Sequence, residues 1–123
     1  MAEEQLVLKE AYKSYFNYSP SFEATGFISD TSEERLREAI SQQAPQVLLL
    51  GLKYLDSTVN KKLEMFREVC PEAGLVLLFN LYDPTCAKAL REFSSSALAG
   101  HAYLLKHNID TADQLGKVVQ GVA

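Results

Sequence analysis

The sequence lacks any apolar segment that approaches the roughly 18 to 20 residues of a membrane span. Its first five residues also lack the basic and apolar regions of a signal peptide. Basic residues are scattered, and 12 lysines and arginines against 16 acidic residues give a net charge of -4. A nucleic-acid surface needs clustered Lys and Arg. We therefore expect a cytoplasmic protein that binds no membrane and, through this chain, no nucleic acid.

Cysteine and histidine are also scarce. Cys70 and Cys86 form no CxxC pair, and His101 and His107 make no ligand pattern with them, so the sequence predicts reduced thiols and no zinc-type site. A glycine-rich phosphate loop and a G-x-S-x-G turn are both missing. No enzyme activity is predicted.

What the chain does contain is a regular alternation of helical and strand patterns. Its 123 residues fit one domain, residues 1–123. Helices are predicted from apolar spacing and from cap residues. They cover about 3–17, a segment capped by Thr31-x-x-Glu34 and closed by Pro45, a segment from Ser57 or Thr58 to Pro71, a segment from Asp83-Pro84 to about Phe93, and a segment capped by Thr111-x-x-Gln114.

Four short segments separate these helices and are predicted to be strands: residues 22–28, in which apolar and mostly polar residues alternate, and the apolar runs 47–50, 75–79 and 102–105. Ser94-Ser95-Ser96 and Gly100 are predicted to form the loop before the last of them. Strands that alternate with helices favour a parallel sheet covered by helices on both faces. Chemistry in such sheets collects at the carboxyl ends of the strands.

Two of these runs resemble a known family. Pro45 to Gly51 resembles the third strand of bacterial response-regulator receiver domains, and Ala102 to Lys106 looks like their fifth strand, especially in the LuxR/NarL-type subfamily. The resemblance covers essentially the whole chain. It implies an α/β, flavodoxin-like (receiver-like) fold, with a doubly wound parallel sheet in three αβα layers and the strand order 2-1-3-4-5.

The resemblance also assigns site positions, and several have lost their chemistry. They are the Mg²⁺-binding acidic pair Glu3 and Glu4, the phosphoacceptor position Gly51, the switch positions Phe79 and Tyr103, and the phosphate-contacting Lys106. Glycine has no carboxylate to accept a phosphoryl group. Without that carboxylate at most weak Mg²⁺ binding is expected, and no cofactor is predicted.

Ordinary structural interpretations stay open for each of these residues. Lys106 could simply end a buried strand, Tyr103 could be a core or interface residue, and Glu3 and Glu4 could sit at a helix start because of the helix dipole. A shift of one residue would replace Phe79 by Asn80 at the switch position.

The first strand is largely missing from the sequence, because only Met1 and Ala2 precede Glu3. In the strand order that the resemblance implies, this strand is central. Without it, its two neighbours would lie about 10 Å apart with unpaired backbone groups. We expect a natural protein that extends further upstream; a rearrangement or a strand from another chain could also close the gap.

These features predict a phosphorylation-independent pseudo-receiver, a regulatory domain that acts through protein–protein contacts. The family resemblance places a homodimer or effector-domain interface on the fourth helix, fifth strand and fifth helix, including Tyr103. It also implies a DNA-binding domain after Ala123. The alternative is a sensor of a small ligand or anion, which would occupy a vacated pocket near Gly51 and Lys106.

Overall fold

The computed structural model describes residues 1–20, 22–23, 25–96 and 100–122. Helices and strands alternate along most of this part of the chain. In order they are β1 (Ala2–Glu3), α1 (Leu6–Tyr18), α2 (Glu33–Gln43), β2 (Val47–Leu55), α3 (Val59–Val69), β3 (Gly74–Tyr82), α4 (Cys86–Ser96), β4 (His101–Leu105), a 3-10 turn (Lys106–Asn108) and α5 (Ala112–Val122).

The strands form one parallel sheet in the order β1-β2-β3-β4. Beyond β1, on the side away from β2, Ile28 makes an isolated parallel bridge to Ala2. The residue 28 segment therefore lies where the second strand of the predicted order belongs. The predicted parallel α/β topology is confirmed.

An apolar cluster lies on each face of the sheet, between the strands and the helices, so the domain has three layers. On one face Leu48, Leu50 and Leu52 of β2 belong to the cluster that includes residues of α2, α3 and α4. On the other face Leu49 belongs to the cluster that includes residues of α1 and α5. Because successive side chains of a strand point to opposite faces, the unbroken run of leucines in β2 serves both layers at once.

The predicted gap beside β2 is bridged at one end by β1, although this strand has only two residues. Ala2 pairs with Leu50 and Glu3 with Gly51. On the other edge the Glu3 N–H donates to the Ile28 carbonyl at 3.0 Å. These ladder bonds hold residues 2 and 3 in a strand, so α1 begins at residue 6 and the predicted start at residue 3 is wrong.

Several other predicted boundaries differ from the structure. Among the described residues of 22–28, only Ile28 has strand pairing. The α2 helix begins at Glu33, and Asp30 Oδ1 accepts from the Ser32 N–H at 3.0 Å, so the box predicted at Thr31 is not the cap. The fourth helix continues to Ser96, where a loop was predicted, and residues 97–99 of that loop lie outside the described residues.

The box predicted for the last helix is confirmed. The Gln114 N–H donates to Thr111 Oγ1 at 3.3 Å, and the Thr111 N–H donates to Gln114 Oε1 at 3.2 Å. Each residue thereby satisfies a backbone donor at the start of α5. No helix in the described part of the chain is long and apolar enough to cross a bilayer.

Candidate functional site

Glu3 is the central residue of the carboxyl edge of the sheet. It ends β1, and its side chain is completely buried. Its Oε1 accepts from Lys106 Nζ at 2.5 Å and from the Gln5 N–H at 3.0 Å. Lys106 is itself only 7% exposed and lies just past the end of β4. The two charges therefore neutralise each other inside the protein, where an unpaired charge would be costly.

Gly51 lies directly beside the Glu3 side chain, in register with it on β2. A Cβ atom added to Gly51 would overlap Oε2 and Cδ of Glu3 and would lie 3.0 Å from Oε1. The Glu3 carboxylate thus fills the space in which any side chain at position 51 would begin. A larger residue at position 51 would force the Glu3 carboxylate to move away from Lys106. The φ angle of Gly51 is not positive, so this close approach, and not the backbone conformation, favours glycine.

Gln5 connects the buried pair to the neighbouring strand. Its Oε1 accepts from Lys106 Nζ at 2.8 Å and from Asn80 Nδ2 at 3.1 Å. The amide of Asn80 therefore reaches the same cluster from β3. We refer to Glu3, Gln5, Asn80 and Lys106, together with Gly51, as the carboxyl-edge cluster.

Glu3 Oε2 has no hydrogen-bond partner among the described residues, although it is buried. It packs against the Gly51 backbone, as the overlap with an added Cβ shows. The negative charge of Glu3 also affects the Tyr12 side chain of α1. Burial, and after it the charge of Glu3, raises the pKa of the Tyr12 hydroxyl on α1.

The two switch positions lie away from this cluster. Phe79 is buried in the apolar layer of α2, α3 and α4, and its ring meets that of Tyr82 edge to face at 5.8 Å. Asn80, the alternative one residue later, is the residue that joins the cluster. Tyr103 is half-buried on the same face as Phe79, and its hydroxyl donates to the Leu90 carbonyl of α4 at 3.3 Å.

Glu4 lies at the rim of the cluster and not in its centre. Its backbone N–H donates to the Gly51 carbonyl at 3.1 Å, and its Oε1 accepts from the Lys53 N–H at 2.9 Å. The Glu4 side chain therefore bonds to β2 just past the residues that pair with β1. An open cleft beside it is lined by Glu4, Gln5, Leu6, Val7, Leu8, Lys53, Asn80, Lys106 and His107.

This arrangement fits a Mg²⁺ ion poorly. The ammonium group of Lys106 already lies where a cation would contact Glu3 Oε1, and Glu4 Oε1 is bonded to a backbone amide. Nowhere in the described ranges do three or more His, Cys, Asp or Glu side chains come together in a group that could hold a metal. Mg²⁺ prefers six oxygen ligands with at least one or two carboxylates.

The strand patterns located Gly51 and Lys106 at one edge, the family resemblance assigned Glu3 to the same site, and the structure brings these three together. They did not identify Gln5, which lies in the short turn between β1 and α1. No sequence pattern could have found it, because the two-residue strand before it is too short to be recognised and residue 5 fell inside the predicted helix.

Comparison with known proteins gives a match in structure alone. No protein-family model matches the sequence, and no curated protein gives a significant match. The isolated REC domain of RcsB from Salmonella enterica serovar Typhimurium, whose structure was solved in the presence of phosphomimetic BeF3-, aligns with a TM-score of 0.68. The alignment covers 97% of this chain and 82% of that chain at 14% identity. This likeness establishes a receiver-like fold.

Proposed function

We propose that the protein is a receiver-like regulatory domain that works without phosphorylation and acts through contacts with other proteins. The receiver-like fold supports the regulatory part of this proposal. The carboxyl-edge cluster supports the rest. A fold of this kind can host many functions, so the argument depends on the site itself.

The observation that carries the proposal is the position of the Glu3 carboxylate. It occupies the space above Gly51 and neutralises Lys106 from within the chain. In the family that the sequence resembles, position 51 would carry the phosphoacceptor and Lys106 would contact the phosphate. Here an internal carboxylate already holds the lysine, so the contact does not depend on a phosphoryl group.

The proposal is tested by incubating the protein with acetyl phosphate and Mg²⁺ and then measuring its intact mass. We expect the mass to stay that of the unmodified chain. A conventional receiver treated in parallel confirms that the reagent is active. A stoichiometric acid-labile phosphoprotein would overturn the proposal. The same measurement on Glu3→Gln would then decide whether Glu3 is the modified residue.

The position of Glu3 also weakens the alternative of an anion sensor. An anion at Lys106 would have to displace the Glu3 carboxylate and leave it buried and unpaired. Leaving one charge of a buried pair without its partner costs about 3 to 5 kcal/mol. The space beside Gly51 is filled by this side chain, so no vacated pocket remains at that point.

A further inference from the structure

Exposed apolar side chains gather at the carboxyl edge of the sheet. Of the six large apolar side chains that are exposed in the described ranges, five lie at this edge, and the sixth, Tyr18, ends α1. We refer to the five as the apolar patch: Leu6, Val7, Tyr54, Leu81 and Tyr82. Val7 is 82% exposed and Leu81 is 67% exposed. Single exposed apolar residues are ordinary, whereas a group of them in one place indicates a contact surface.

Three members of the apolar patch stand on a projection from the sheet. The pairing of β1 with β2 ends at Gly51, and the pairing of β4 with β3 ends at Phe79. The strands β2 and β3 pair with each other for several further residues. We call residues 54–55 and 81–82 the extension. Among the described residues no other strand pairs with it on either side.

The extension is anchored in the core. Leu55 is buried, and its carbonyl accepts from the Asp83 N–H at 2.9 Å. The Tyr82 ring meets the Phe79 ring edge to face at 5.8 Å. The exposed side chains are therefore held on ordered strands before any partner binds, which lowers the entropic cost of a contact.

A cleft of about 680 Å³ lies beside the extension. Leu6 and Val7 line it, together with Lys53 and Asn80, the residues just before the extension on its two strands. Pockets that enclose a bound group commonly have volumes of about 300 to 1,000 Å³, so this cleft has room for large side chains. A projection and a recess, both with apolar side chains, thus lie next to each other on one surface.

The apolar patch is large enough for a contact between two copies of the chain. With about 200 Å² for a whole aromatic side chain, five large side chains at these exposures present roughly 500 Å². Two copies would then bury about 1,000 Å² together, which is at the lower limit for a specific interface. We therefore expect a weak contact that forms between micromolar and millimolar protein concentration.

The charges of the cleft also favour a second copy. Glu4 and Lys53 have opposite signs, His107 is the remaining basic group, and Lys106 is neutralised by Glu3. In a twofold contact residue i of one copy meets residue j of the other, and j meets i, so each charge can face one of opposite sign. A partner with a single sign of charge would leave Glu4 or Lys53 opposite a like charge.

Residues joined to the ends of the described chain leave from the opposite side of the molecule. Val122 packs against Gly74 and Gly100, which lie at the amino ends of β3 and β4. The strand β1 is parallel to β2, so residues ahead of Ala2 also lead toward the amino end. A segment joined to either end would have to run back along the sheet, about 30 Å for a nine-residue strand, to reach the apolar patch. A second copy reaches it directly.

We propose that the apolar patch is a self-association surface, in which the extension of each copy packs into the cleft of the other around a twofold axis. The proposal does not rest on the function proposed for the carboxyl-edge cluster. It also concerns a different surface from the face of α4, β4 and α5. A chain that used both surfaces would form assemblies larger than a dimer.

The first test follows the amide shifts of the ¹⁵N-labelled protein from micromolar to millimolar concentration. We expect concentration-dependent shifts at residues 6–8, 53–55 and 81–82, because these line the cleft or form the extension. A spectrum that is the same at all concentrations would overturn the proposal. So would shifts confined to other surfaces.

Matched variants test the two halves of the contact through the shifts at residues 6–8 and 81–82. Tyr54→Thr removes a ring and keeps a good strand former, so the dissociation constant should rise roughly tenfold. Tyr18→Thr makes the same change outside the apolar patch and should leave it unchanged. Val7→Thr places a hydroxyl in the cleft with little change of shape and should weaken the contact severalfold.

Circular dichroism shows whether each variant is folded, and Val7→Thr remains informative if Tyr54→Thr does not fold. Equal effects of Tyr54→Thr and Tyr18→Thr would contradict the role of the extension. An unchanged dissociation constant in Val7→Thr would contradict the role of the cleft.

A spin label locates the contact between copies. Ser57 is exposed just past the extension, so unlabelled protein with Ser57→Cys and Cys70→Ser carries the label there, while Cys86 is buried. Mixed with the ¹⁵N-labelled protein, it should broaden the amide signals of residues 6–8 and 107 of the other copy. If the broadening is absent or lies on α5, the extension does not enter the cleft and the proposal is wrong.

Discussion

At the scale of single residues, the buried ion pair of Glu3 and Lys106 takes two charges out of water. Moving two charges out of water is repaid only when their geometry is good and other hydrogen bonds are present. Gln5 provides those bonds, because its N–H donates to Glu3 and its side-chain oxygen accepts from Lys106. The three residues therefore act as one unit.

Replacing Lys106 by Met should strongly destabilise the protein, because the Glu3 carboxylate would stay buried without its cation. We expect the free energy of unfolding to fall by about 3 to 5 kcal/mol. The double variant Glu3→Gln/Lys106→Met removes both charges and should lose less than Lys106→Met alone. Urea unfolding followed by circular dichroism measures both. Equal losses in the single and double variants would show that the charges are not coupled.

Replacing Gly51 by Ala should also destabilise the protein, by about 1 to 3 kcal/mol, because the new Cβ overlaps the Glu3 carboxylate. In the background Glu3→Ala the same change should cost little, since the obstructing side chain is gone. The difference between the two backgrounds is the coupling energy. If the two substitutions have additive effects on the free energy of unfolding, the contact between Glu3 and position 51 is contradicted.

The sequence pointed to Gly51 and Lys106 through strand patterns that end at one edge of a parallel sheet. It could not show that Glu3 fills the space above Gly51, because the residues lie on different strands and their contact depends on strand register. For the same reason Phe79 and Asn80 could not be separated. A register change of one residue moves each side chain to the opposite face.

At the scale of elements, the segments that could be predicted are those with a strong apolar or capping pattern in their own sequence. The buried strands and the box at Thr111 and Gln114 follow from local composition, and the structure has them. The strand β1 is too short to produce a pattern of its own. It exists because β2 and Ile28 offer backbone partners on both sides, which is information from distant parts of the chain.

The strands β2 and β3 are longer than the apolar runs 47–50 and 75–79 predicted, so both extend past the carboxyl-edge cluster. Pairing continues past the cluster, with Tyr54 opposite Leu81 and Leu55 opposite Tyr82. Tyr54, Leu81 and Tyr82 are at least half exposed. This two-stranded extension lies beyond β1 and β4 and carries apolar side chains outward.

At the scale of the whole molecule, different helices cover the two faces of the sheet. Tyr103 packs on the face covered by α2, α3 and α4 and bonds to α4, whereas α1 and α5 cover the opposite face. A change at α4 can therefore reach Tyr103 without passing through the ion pair.

The interface that we propose on α4, β4 and α5 leads to a last prediction. Arg91 of α4 and Lys117 of α5 are exposed, so reversing either charge should leave the fold intact. We expect Lys117→Glu to weaken self-association severalfold in analytical ultracentrifugation, because a charge at the rim of an interface acts mainly through electrostatic complementarity.

The control is Lys61→Glu, which makes the same change at an exposed position of α3 and should have no effect. A monomer at all concentrations, together with unchanged binding of any candidate effector by Lys117→Glu, would exclude this face. Equal weakening by both variants would show that net charge, and not this surface, controls association.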